Sequence, residues 1–153
     1  MQPIAIPVTG REDAADPASP KGALSEFYRA FNTRDIGLMQ QNWLDGDAPV
    51  MNNPLGGVRR GWREIRPTYE RLFGHPDARV EVEFFEYTIH DLGDGFVAIG
   101  RERGALVRSG EMTDVAIRTT RIFVRSNDRY RQLHHHGSIE DPSSLGAYRT
   151  AFA

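Results

Sequence analysis

The side chains best suited to acid–base chemistry lie in a run of three histidines near the end of the chain, His134, His135 and His136. Histidine can take up or release a proton near neutral pH because its unperturbed pKa lies there. Side chains alternate between the faces of a strand, so the three cannot point the same way. We expect Leu133 and His135 to face the interior, with Gln132, His134 and His136 outside. His135 is therefore the candidate catalytic residue.

Two arginines lie in apolar strand patterns. Arg101 shares its parity with Val97 and Ile99, and Arg121 shares its parity with Ile117. If both faces line a pocket, each guanidinium needs a carboxylate or another anion beside it. That anion is either a group of the ligand or an internal acid. The internal candidates are Glu83, Glu86, Glu102 and Asp114.

Three further side chains are candidates for ligand contact. Asn53 precedes Pro54 and can either hydrogen-bond a ligand or close a turn. Trp62 and Tyr69 can grip an apolar ligand or belong to the core. His134 and His136 supply two potential metal ligands with no evident third, so we expect no metal site. No nucleophile motif or phosphate loop is present, and we expect no cofactor.

The elements that position these residues follow from periodicity. Residues 1–19 carry prolines without a sustained period and predict an N-terminal arm. Helices are predicted after Ser19, after Asp35 and after Gly61. Strands are predicted over residues 80–90, 96–107, 112–125 and 129–139. This order indicates an α+β domain over 20–140, in which helices pack on one face of a curved sheet, followed by a tail over 141–153.

Composition excludes several classes of function. The 153 residues favour one domain, and the absence of cysteine excludes disulfides and thiolate chemistry. The 19 basic and 21 acidic residues leave a formal charge of -2, which argues against nucleic acid or a membrane surface as partner. No apolar run has the length of a membrane span, and the N-terminus does not resemble a signal peptide. We expect a cytoplasmic protein.

Four short motifs, in this order, resemble the nuclear transport factor 2-like superfamily and most closely its SnoaL-like members. They are Phe31–Asp35, Asn53–Pro54, Arg60–Ile65 and His134–Ser138, and the resemblance runs from Ala23 to Ser138. It implies a cone-shaped fold, in which a bent antiparallel or mixed sheet wraps around three N-terminal helices and leaves a pocket at the open end. It also implies a homodimer formed through the outer face of the sheet.

The same resemblance limits the chemistry. Where ketosteroid isomerases of the superfamily carry a catalytic aspartate, this chain has Asn53, and Phe27 replaces their helix-one tyrosine. Because an amide cannot shuttle a proton, that isomerisation is not expected. Tyr28 is one residue away and should point elsewhere. The pocket arginines of the kinase association domains in this superfamily correspond to Arg101 and Arg121.

Together these observations predict a SnoaL-like protein that binds a small organic ligand. Its apolar pocket would hold a carboxylate or other anionic group on Arg101 and Arg121, with contacts to Asn53, Trp62 and Tyr69. If it is an enzyme, we expect a cofactor-independent isomerase, lyase or hydrolase that uses His135. The alternative is a non-catalytic assembly or accessory domain that oligomerises through the outer sheet face.

Overall fold

Helices come first and long strands follow, as the sequence predicts. The computed structural model describes residues 1–13 and 16–153. The helices are α1 (Pro20–Thr33), α2 (Ile36–Asn42), α3 (Trp62–Gly74) and α4 (Pro142–Ala151). The strands are β1 (Val50–Asn52), β2 (Arg59–Arg60), β3 (Ala78–Asp91), β4 (Gly95–Arg108), β5 (Glu111–Ser126) and β6 (Arg129–Ile139).

The predicted α+β cone is confirmed, with one helix more than expected. The six strands form one curved, unclosed sheet in the order β2-β1-β6-β5-β4-β3. Strands β3 to β6 make an antiparallel meander, whereas β1 pairs with β6 in parallel, so the sheet is mixed. The parallel pair places Met51 beside His135, which brings the loop after β1 to the last strand.

The two predicted helix caps are present. The Ser19 hydroxyl accepts a hydrogen bond from the N–H of Gly22 at 3.1 Å, and Pro20 follows as the first helical residue. The Asp35 carboxylate accepts one from the N–H of Leu38 at 2.9 Å. Such caps satisfy backbone donors that have no partner within the helix. They fix where α1 and α2 begin, and α1 buries Phe27 and Tyr28 under the sheet.

Two irregularities in the sheet change which side chains face inward. The register of β3 against β4 shifts between Phe85 and Thr88, where Glu86 adopts a positive φ of 47°. The register of β5 against β6 shifts between Ile122 and Phe123, opposite Leu133. An extra residue in one strand inverts the alternation beyond it. Simple counting of odd and even positions therefore fails across both points.

The chain on either side of the predicted domain packs against it. In the arm, Ile4 and Val8 pair with the edge strand β3 at Tyr87 and Phe84. The predicted tail, 141–153, forms α4, which buries Tyr148 against the domain. The arm thus covers part of an exposed sheet edge, a common means of preventing edge-to-edge association.

Candidate functional site

A small cavity lies between the inner face of the sheet and the helices. It offers about 40 Å³ to the centres of water-sized molecules, which is room for roughly three waters, since one water needs about 10–15 Å³ by this measure. Most of its lining is apolar or aromatic: Phe27, Phe31, Met51, Pro54, Leu55, Leu72, Tyr69, Val82, Ile117 and Tyr148. Polar groups enter from Asn53, Thr68, Glu102, Arg121 and His135. The lining thus combines apolar walls with a few polar groups, the usual composition of a small-molecule site.

Arg121 is the centre of a buried polar network. Only 2% of its side chain is exposed, and its Nη2 donates to the Glu102 carboxylate at 2.7 Å. Its Nη1 donates to Gln132 Oε1 at 2.6 Å, and its Nε donates to the Tyr28 hydroxyl at 3.2 Å. One face of the guanidinium lies 3.6 Å above the ring of Phe27. The predicted inward orientation of Arg121 is confirmed, and the internal ion pair with Glu102 is the alternative that the structure realises.

The electrostatics of this network keep the arginine charged. Burial by itself lowers the pKa of Arg121, but the Tyr28 oxygen and the Glu102 carboxylate outweigh it and raise the pKa overall. The Tyr28 hydroxyl donates to Glu102 Oε1 at 2.6 Å. Burial, partly opposed by Arg121, raises the pKa of Tyr28 well above its ordinary value. Both groups therefore keep their protons across the physiological pH range, and the ion pair is already balanced without a ligand.

His135 faces the cavity as the sequence predicts. Its Nε2 lies 2.8 Å from the Thr119 hydroxyl, and its Nδ1 is buried without a hydrogen-bond partner among the described residues. Burial lowers the pKa of His135 well below 6.5, and the positive charge of Arg121 lowers it further. The imidazole is therefore neutral at pH 7. It can take part in hydrogen bonds, but its lowered pKa makes it a weak proton acceptor.

The expectation that Arg101 enters the cavity is wrong. Arg101 lies on the outer face of the sheet, where it donates to Glu86 and Glu140, each at 2.8 Å, and 40% of its side chain is exposed. The next residue, Glu102, takes the inward position. The apolar neighbours that suggested the opposite parity lie on the outer face, and Ile99 is 46% exposed. The structure therefore brings one of the two arginines to the site.

The remaining candidates divide between cavity and framework. Asn53 borders the cavity, but its side-chain oxygen accepts from the N–H of Leu55 at 2.9 Å and so closes a turn. Tyr69 lines the cavity and stacks on Trp62 with ring centroids 6.5 Å apart. Trp62 is buried at the start of α3 but does not border the cavity. It contributes to the site by supporting Tyr69.

Sequence reasoning missed two members of the network, Tyr28 and Gln132, and named Glu102 only as one of several possible acidic partners of the arginines. Gln132 was expected outside, but the irregularity opposite Leu133 turns both Gln132 and His135 inward. Tyr28 was expected to point elsewhere, yet it is fully buried and reaches Glu102. A signal for Glu102 was present, because Phe96, an apolar residue at the start of β4, shares its parity.

None of the helices in ranges 1–13 and 16–153 is both long and apolar enough to cross a membrane. Within the same ranges, no group of three or more histidine or acidic side chains converges as metal ligands would. On the outer face, the ring of His134 binds the carbonyl of Val50 through Nδ1 at 2.8 Å.

Comparison with known proteins agrees with this architecture. Many solved structures are similar to the chain, and three of them represent the likeness. A provisionally assigned calcium/calmodulin-dependent protein kinase type II association domain from Thiobacillus denitrificans is 23% identical, with a TM-score of 0.66 over 80% of this chain and 96% of that one. A nuclear transport factor 2-like superfamily protein from Salmonella enterica is 20% identical, with a TM-score of 0.70 over 81% and 90%. A provisionally assigned dehydratase of the NTF2-like family from Streptomyces avermitilis is 18% identical, with a TM-score of 0.66 over 76% and 90%.

These identities establish the fold alone, and they confirm the predicted NTF2-like architecture. No curated protein matches the chain. The model of the SnoaL-like domain matches residues 21–142. That match spans most of the sequence, from the first turn of α1 to the start of α4. The chain belongs to the family of SnoaL-like domains.

Proposed function

We propose that this protein binds a small, largely apolar and uncharged organic molecule in the cavity between sheet and helices. The observation that supports the proposal most strongly is the pairing of Arg121 with Glu102 inside a wall of aromatic and aliphatic side chains. The apolar walls would supply most of the affinity. Arg121, Glu102 and His135 would fix the orientation of the one polar end of the ligand.

The charge balance of the site favours a neutral ligand over the carboxylate suggested by the sequence. The positive charge of Arg121 is matched by Glu102 at 2.7 Å, and the second arginine lies outside. A ligand carboxylate would bring a second negative charge next to Glu102 in a region with little water. A carbonyl or hydroxyl oxygen could accept a hydrogen bond from Arg121 without that cost.

Proton transfer is the chemistry that such a site could support. Glu102 and His135 both border the cavity. The Glu102 carboxylate could take a proton from a bound molecule without a cofactor, while the neutral His135 could hydrogen-bond to that molecule. A provisionally assigned dehydratase shares this fold, which is an analogy and not a residue match. Ligand binding is therefore the primary proposal, and cofactor-free acid–base catalysis is the extension.

The experiment that tests the proposal is ligand-induced thermal stabilisation with a cavity-filling variant. Leu72→Trp should fill the cavity, and Leu92→Trp places the same side chain at an exposed turn as the control. Cyclopentanone should raise the Tm of the wild type and of Leu92→Trp, but not of Leu72→Trp. Equal stabilisation of Leu72→Trp, or stabilisation by cyclopentanecarboxylate alone, would contradict the proposal.

The assembly alternative depends on the outer face of the sheet. That face exposes Ile99, Val107 and Met112, but the ion-paired Arg101 and Arg103 interrupt it. Association of two copies through this face remains a proposal. The molecular mass measured by light scattering tests it. A monomer at all concentrations would exclude it without affecting the cavity.

A further inference from the structure

One ring nitrogen of His135, a residue that borders the cavity, has no hydrogen-bond partner among the described residues. Nδ1 of His135 is buried and makes no hydrogen bond to any described residue, while only 6% of the residue is exposed. A buried polar atom without a partner costs free energy, so nearly all such atoms in folded proteins are paired with protein, water or ligand. The His135 ring borders the cavity, so a molecule bound there is one group that could supply the partner.

The surrounding hydrogen bonds indicate which partner Nδ1 needs. The Thr119 oxygen lies 2.8 Å from His135 Nε2 and 3.3 Å from the carbonyl oxygen of His136. A hydroxyl group has one proton to give and can also accept. If Thr119 donates to the carbonyl and accepts from Nε2–H, all three groups are satisfied. Nδ1 then carries a lone pair and can only accept.

Arg121 is the sheet neighbour of His135. Arg121 and His135 are partners across the β5–β6 ladder, so their side chains leave the sheet next to each other. A guanidinium has about five N–H groups, and Arg121 uses one from each of its three nitrogens for Tyr28, Gln132 and Glu102. The remaining N–H groups can serve a ligand oxygen. A potential acceptor and a potential donor thus come from neighbouring positions of the sheet that both border the cavity.

We infer that the ligand carries a hydroxyl group that donates to His135 Nδ1 while an oxygen of the ligand accepts from Arg121. The inference rests on the proposed function and narrows it to alcohols and hydroxy ketones with a small apolar body. A hydroxyl oxygen can satisfy both neighbours at once, since it donates and accepts. A simple ketone or ether satisfies Arg121 alone and leaves Nδ1 without a partner.

The test compares two molecules of nearly equal size at pH 7.5, where His135 is neutral. Cyclopentanol should bind the wild-type protein about tenfold more tightly than cyclopentanone, as expected for one more satisfied buried hydrogen bond. Calorimetric titration gives both dissociation constants. In His135→Phe, which removes the acceptor, and in Thr119→Val, which removes the hydroxyl that orients the ring, the preference should fall to about twofold or less.

A second measurement keeps the inference testable if His135→Phe does not fold. In ¹⁵N NMR of the wild-type protein, cyclopentanol should shift the resonance of an unprotonated His135 Nδ1 and cyclopentanone should leave it in place. Equal affinity for the two molecules, or an His135 Nδ1 that carries a proton, would overturn the inference while ligand binding stands. If neither molecule stabilises the protein or perturbs the cavity, the proposed function itself fails.

Discussion

Arg101 and Arg121 lie on neighbouring strands of the same sheet, yet their surroundings differ in almost every respect. Arg101 is 40% exposed on the outer face and holds Glu86 and Glu140 in contact with water. Arg121 is 2% exposed on the inner face, where it pairs with Glu102 and its guanidinium lies above the ring of Phe27. The residue types and ion-pair lengths are alike, so the difference lies in the solvent around them.

That difference decides what each pair can do. Exposed ion pairs contribute little, because water and salt screen them and long side chains lose freedom when they are held. A buried pair is different, because removal of one partner leaves a charge without water or counter-charge. The two outer ion pairs are therefore dispensable, whereas the inner pair maintains a polar end in an apolar cavity.

The largest effect should follow the loss of the inner arginine. Arg121→Met keeps an apolar side chain of similar length but strands the buried Glu102 carboxylate, so we expect a loss of about 3–5 kcal/mol in the free energy of unfolding. Urea denaturation measures it. The double variant Arg121→Met with Glu102→Leu should recover most of that loss. A double variant as unstable as the single one would show that the cost is not electrostatic.

A smaller effect should follow the loss of one hydroxyl from the same network. Tyr28→Phe removes the donor to Glu102 Oε1 and the acceptor for Arg121 Nε. We expect a loss of about 1–3 kcal/mol, the range for leaving buried hydrogen-bonding groups without a partner. Tyr130→Phe, which alters a buried tyrosine outside this network, is the matched control. Equal losses in both variants would argue against a special role for Tyr28.

The inner face should also make the protein sensitive to mild acid. Burial lowers the pKa of His135 well below 6.5, so below pH 6.5 the unfolded chain binds a proton that the folded protein refuses. Stability should then fall by about 1.4 kcal/mol per pH unit as the pH decreases from 6.5 toward the lowered pKa. His135→Gln should flatten this dependence, and His136→Gln, at an exposed position, should not. The free energies of unfolding of the wild type and both variants, measured between pH 5 and 8, test this pH dependence.

The smallest effect belongs to the outer arginine. Arg101→Met should move the urea midpoint much less than Arg121→Met, and it should leave cyclopentanone binding unchanged. A loss comparable to that of Arg121→Met would remove the distinction between the two faces.

The fold was largely predictable because its signals are local. Short stretches of sequence predict the caps at Ser19 and Asp35 and the long strands. The family motifs predict how these elements are arranged. The site was less predictable because it depends on strand parity. The irregularity opposite Leu133 lies in tertiary pairing and leaves no mark in composition, so Gln132 was placed on the wrong face.

The prediction that Arg101 points into the cavity was wrong for a different reason. In β4 the inner positions are small where aromatic rings already fill the space. A Cβ on Gly100 would come within 2.6 Å of the Tyr87 Cβ and 2.9 Å of the Phe84 ring. The larger Val97 and Ile99 therefore lie on the outer face. For this reason the hydrophobic pattern of β4 predicted the wrong face as the inner one.

The most direct test of the account is a ligand titration observed at methyl groups on both faces of the sheet. Cyclopentanol added to methyl-labelled protein should shift the resonances of Met51, Leu72 and Ile117, which border the cavity, together and to saturation. Ile99, Val107 and Met112, exposed on the outer face, should not move. Saturable shifts confined to the outer methyls would contradict the claim that the inner polar network is a ligand site.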